Sequence, residues 1–74
     1  MRLSELHKGD RALIKKIDTD EALKTRLASF GVVRGSELTI EACSMGKKTM
    51  EILVDGTLIG LRGDEAKKIE VEKI

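Results

Sequence analysis

The chain has 74 residues, one Cys, one Phe and no Trp, Tyr or Pro, and its 14 basic and 13 acidic residues leave a net charge of +1. That length makes a single domain over residues 1–74, with a folding margin of about 3–5 kcal/mol, and one cysteine allows neither an intrachain disulfide nor a multi-thiolate zinc site. Balanced charge argues against a nucleic-acid partner, and one aromatic ring cannot build the platforms that stack bases or line proline-peptide grooves.

In chain order, Leu3 and Leu6 lie three apart before Gly9, which predicts a short helical turn near the N-terminus with Ser4 as its cap. Asp10 to Ile17 reads as a strand, with Ala12 and Ile14 on one side and Arg11, Leu13 and Lys15 on the other. Ile17 breaks the alternation, so a bulge or strand end is expected near Lys16. Asp18-Thr19-Asp20-Glu21 offers carboxylate and hydroxyl oxygens to the free amides of a helix start. Leu23, Leu27 and Phe30 then recur on one helical stripe and Gly31 follows, which predicts a helix over about 20–30.

Beyond Val32 the period changes to two. Leu38, Ile40 and Ala42 alternate with Thr39 and Glu41, and after the Ser44–Lys48 loop Met50, Ile52 and Val54 alternate with Glu51 and Leu53. Asp55-Gly56 is a two-residue hairpin signal that places Val54 opposite Thr57, Leu53 opposite Leu58, Ile52 opposite Ile59 and Met50 opposite Leu61. Met50, Ile52, Val54, Ile59 and Leu61 therefore share the core face. A helical turn at about 63–68 and a last short strand through Ile69 and Val71 complete the plan. The fold class is mostly β: a small five-stranded barrel with one helix, which leaves few open strand edges.

Chemistry-bearing residues are sparse. One His and one Cys make no nucleophile–base pair, and there is no glycine-rich phosphate loop, so catalysis is not expected. His7 reads as a solvated or locally hydrogen-bonded residue before Gly9, and Cys43 as a half-buried apolar residue; no metal or cofactor site is assigned. No apolar run is long enough to span a bilayer and the N-terminus lacks the apolar core of a signal peptide, so a cytoplasmic location is expected, reached by membranes only through a partner.

The feature left over is the second face of the hairpin. Leu53 and Leu58 oppose each other away from the core, and Leu13 is also out of phase with it. Two arrangements fit: the helix covers them through Leu23, Leu27 and Phe30 as a second small core, or they are exposed as a docking patch rimmed by Lys47 and Lys48. Arg62 must point outward after Leu61, either to a partner or into an ion pair with Asp64 or Glu65.

Taken in order, Leu3, Leu6, Gly9, Ala12, Ile14, Arg26-Leu27, Gly31, Gly35, Gly46, Ile52, Val54, Gly56, Leu61-Arg62, Glu65-Ala66 and Ile69-Glu70-Val71 resemble the pattern of the FeoA family over nearly the whole chain. Members often carry prolines before the glycine matched here by Gly35 and around the one matched by Gly46, where this chain has Arg34 and the Ser44–Lys48 loop. The resemblance implies an SH3-like barrel acting with FeoB, a ferrous-iron transporter with a cytosolic G-protein domain. It implies a non-enzymatic role in iron uptake; the candidate partner-binding residues are those the strand faces single out, Leu13, Leu53, Leu58, Lys47, Lys48 and Arg62. A metal-sensing domain like that of iron-dependent repressors, or a self-associating barrel forming a homo-oligomer, are the alternatives for the same fold.

Overall fold

A computed structural model describes residues 1–74. The chain runs as a 3-10 turn (Leu3–Glu5), β1 (Arg11–Ile17), α1 (Glu21–Ser29), β2 (Glu37–Cys43), a second 3-10 turn (Met45–Lys47), β3 (Thr49–Val54), β4 (Thr57–Arg62), α2 (Gly63–Ala66) and β5 (Ile69–Lys73). The strands form one antiparallel sheet in the order β4-β3-β2-β1-β5. Every strand sends its inward residues into a single cluster: Ala12 and Ile14, Leu38 and Ile40, Met50 and Ile52, Ile59 and Leu61, Ile69 and Val71. A five-stranded sheet that buries one face around one core is the SH3-like barrel expected. The two edges differ, because β5 is capped by the chain's own start: the Val71 amide donates to the Met1 carbonyl at 2.7 Å, and Arg2 bridges Glu70.

Local chemistry accounts for the elements. Asp20 caps α1, its Oδ1 accepting from the Leu23 amide at 2.9 Å, and Gly31 ends it at a φ of +84°, which costs a glycine little. Asp55 and Gly56 both take positive φ, and the hairpin register is the one expected, Leu53 opposite Leu58 included. The register of β1 against β5 shifts between Ile14 and Lys16, the bulge foreseen near Lys16. A second shift, between Ile40 and Ala42 on β2, leaves no mark in the apolar alternation and was not expected.

Three expectations are corrected. Phe30 does not extend the helix stripe. It is the C-cap, with ψ at 5°, and the residue is 46% exposed. Val32, whose amide returns to the Leu27 carbonyl at 2.9 Å, is fully buried in the core. Ser4 is not a cap but lies inside the first turn, where the Glu5 carboxylate accepts from the Arg2 amide instead. The helical turn after β4 stops at Ala66 because β5 begins at Ile69.

Gly63 has a steric reason to be glycine. A Cβ there would fall well inside 3.0 Å of the Lys47 carbonyl oxygen, and the Gly63 amide donates to the Lys48 carbonyl at 2.8 Å. So α2 is clamped against the loop before β3.

Candidate partner-binding surface

The outer face of the hairpin presents three cross-strand rows: Leu53 with Leu58, Glu51 with Gly60, and Thr49 with Arg62. Leu58 is 57% exposed and Leu53 is half-buried, its other flank closed by Thr39 of β2. The helix does not cover this pair. Leu23 and Leu27 are spent on the main core and Phe30 is turned to solvent, so no second core forms. That leaves an apolar side chain standing in water beside the hairpin turn.

The other expected members are dispersed. Leu13 is half-buried on β1 between Glu37 of β2 and Glu72 of β5, so carboxylates frame it, and β2 separates it from Leu53. Glu37 and Glu72 are themselves paired, with Arg11 at 2.9 Å and Lys15 at 3.6 Å. Lys47 and Lys48 precede Thr49, at the opposite end of β3 from the Leu53–Leu58 row, and do not rim it. Gly46 and Lys47, at φ of +72° and +55°, turn this loop toward the N-terminus, where Lys47 Nζ donates to the Ser4 carbonyl at 2.9 Å.

Arg62 does share the face with Leu58. Between them Gly60 leaves the strand bare, with nothing within 4 Å of where its Cβ would stand. The gap opens a shallow groove of about 400 Å³ walled by Arg62, Arg26, Glu51 and Glu65. Glu65 accepts from the Arg62 amide at 2.9 Å, yet its ion pair is with the Arg26 guanidinium at 3.4 Å, 39 residues away in sequence. Arg62's own guanidinium is therefore free of the ion pair that sequence offered it.

His7 is exposed, its amide donating to Asp10 Oδ2 at 2.8 Å. That hydrogen bond, with Lys73 beside it, lowers the Asp10 carboxyl from its ordinary value of 3.8. Cys43 is half-buried against the core. No three His, Cys, Asp or Glu side chains converge as a metal site would require. A second groove, between the end of β1, α1 and the loop after it, was not legible in sequence, because its basic residues come from three separate segments.

The family described as FeoA domain matches residues 1–73. A protein of Campylobacter jejuni provisionally named Fe(2+) transport protein A is 38% identical over 74 residues, covering 100% of both chains. A Porphyromonas gingivalis protein named Fe(2+) transport protein A/Fe(2+) transporter FeoB fusion protein is 35% identical over 74 residues, covering 100% of this chain and 9% of its own length. Among solved structures, the FeoA protein of Chlorobium tepidum superposes with a TM-score of 0.94 at 34% identity, over 100% of this chain and 70% of that one. The FeoA of Stenotrophomonas maltophilia, described as a procaryotic SH3 domain protein complexed with zinc, superposes at 0.82 with 30% identity, over 97% and 89% of the two chains. No helix of the present chain is long and apolar enough to cross a membrane.

Proposed function

The chain belongs to the FeoA family, and from that premise we propose that it is a non-enzymatic, cytoplasmic accessory protein of ferrous-iron uptake that binds and modulates a FeoB-type transporter. The observation that carries this reading is the fused relative, in which a stretch matching this whole chain is continuous with a FeoB transporter. Covalent linkage holds two modules at high effective concentration, an arrangement that favours pairs which act in contact.

The docking face in this proposal is the exposed Leu58 with Leu53 beside it and Arg62 at its far end. Binding there biases one conformation of the transporter's cytosolic part, to the extent that the two conformations present different surfaces to it. The test is capture of detergent-solubilised transporter from the same source by the tagged protein, with and without guanine nucleotide. Capture is expected, together with its loss in Leu58→Glu while far-UV circular dichroism stays unchanged. Leu58 is the better probe than Leu53, which is half-buried and takes part in the fold. Absence of capture in every nucleotide state refutes the role, and full capture by a folded Leu58→Glu refutes the face.

A further inference from the structure

The groove formed by the end of β1, the outer flank of α1 and the loop after α1 has a volume of about 660 Å³. Its floor is apolar: the half-buried Ile17, Ala28, the fully buried Val32, and Val33, which is 47% exposed. Its walls are basic. Lys16, Lys24 and Arg34 all line it, and none of the three has a carboxylate within 4.0 Å. Lys15 also lines it and is paired outward with Glu72 at 3.6 Å, which leaves Glu70 as the groove's single acidic residue. In a chain of net charge +1, unpaired cations are thus gathered around one apolar depression.

The backbone that carries the groove is held in place before anything binds. Gly35 donates to the Ile14 carbonyl at 2.7 Å, Ile14 donates to the Ser36 carbonyl at 2.9 Å, and Ser36 Oγ donates to the Gly31 carbonyl at 3.0 Å. Asp18 donates to the Lys68 carbonyl at 2.7 Å on the other side. A preformed groove spares a ligand the ordering cost that a floppy loop would impose.

We propose that this groove is a docking site for an acidic peptide segment of a partner protein, one that lays an apolar side chain on the Ile17–Ala28–Val33 floor and sets its carboxylates against Lys16, Lys24 and Arg34. Charge complementarity selects the sign of the ligand, and the apolar floor selects a side chain over a bare anion. No ring in the groove stacks a base, which favours peptide over single-stranded nucleic acid. The groove shares no residue with the Leu53–Leu58 face and the inference does not depend on the identity of the transporter.

The probe is a fluorescein-labelled peptide in which a Leu-Leu pair is flanked by glutamates, EEELLEEE, read by anisotropy and by amide shifts of the 15N-labelled protein. Shifts are expected at Lys16, Ile17, Lys24, Val33 and Arg34, with binding that weakens as salt rises. The Lys24→Glu/Arg34→Glu variant, altered only at exposed side chains, is expected to bind about tenfold more weakly or worse. Replacing the leucines by serines in the peptide is expected to weaken binding to the unaltered protein, and that arm decides the matter even where the double variant folds poorly. Shifts outside the groove, binding indifferent to both changes, or preference for oligo(dT) over the peptide overturns the proposal.

Discussion

Replacing Gly63 by Ala is expected to destabilise the protein, whereas the same change at Gly60, three residues earlier, is not. At Gly63 the new methyl carbon falls well inside 3.0 Å of the Lys47 carbonyl oxygen and lies 3.4 Å from the Lys48 carbonyl oxygen, both main-chain atoms. Neither wall gives easily, because Gly63 donates to Lys48 at 2.8 Å, Lys47 donates to Ser44 at 2.9 Å, and Lys47 Nζ is tied to Ser4. Overpacking of this kind costs about 1–3 kcal/mol. Alanine returns about 0.4–1 kcal/mol through the stiffer unfolded chain, so a net loss of about 1.3 kcal/mol remains at the middle of both ranges. At Gly60 there is nothing within 4 Å and φ is ordinary, so only the stabilising part applies, at roughly 0 to 1 kcal/mol. With a urea slope of about 1 kcal/mol/M, Gly63→Ala moves the midpoint down by about 1.3 M and Gly60→Ala leaves it level or higher. Far-UV circular dichroism is the readout, since a chain without Trp or Tyr gives little fluorescence. A midpoint for Gly63→Ala at or above that of Gly60→Ala refutes the clamp between α2 and the loop before β3.

Three further outcomes are expected. Leu27→Ala empties a fully buried position on α1, at about 2–5 kcal/mol out of a folding margin of about 3–5 kcal/mol, so the urea midpoint by circular dichroism should fall by about 2 M or more. Asp20→Ala removes the cap on the Leu23 amide and should lower stability by about 0.5–2 kcal/mol in the same urea assay, with the fold retained. Asp10 has a folded-state pKa below its ordinary 3.8, so its contribution is present above that value and is lost as pH falls through the lower folded value. Stability curves of the protein and of Asp10→Asn should therefore stand apart by a constant offset above pH 3.8 and converge as pH falls below it, and an offset that persists unchanged below 3.8 would count against the Asp10–His7–Lys73 arrangement.

Much of the fold was legible because it is written in rules that act over a few residues. Asp20 and Gly31 bound the helix through amide capping and a left-handed φ, and Asp55-Gly56 sets the hairpin register through turn geometry. Alternation then sorts Met50, Ile52, Val54, Ile59 and Leu61 onto the core face, where all five are buried. The bulge on β2 escaped because it falls between residues whose apolar alternation is unbroken.

The sequence by itself determined where the elements start and stop, how the hairpin pairs, and which face of each strand is apolar, since backbone sterics and periodicity are local. Only the tertiary structure decided what lies against what. Leu23 and Leu27 are consumed by the barrel's interior, which leaves Leu58 in water, and Phe30 yields its place in the core to Val32 because the chain has already left the helical path. Glu65 pairs with Arg26 rather than Arg62, Lys47 reaches Ser4, and Lys16, Lys24 and Arg34 converge on one groove. Each of these depends on distances between remote segments, set by the course of the backbone through turns and bulges and by which apolar surfaces the single core has room to absorb.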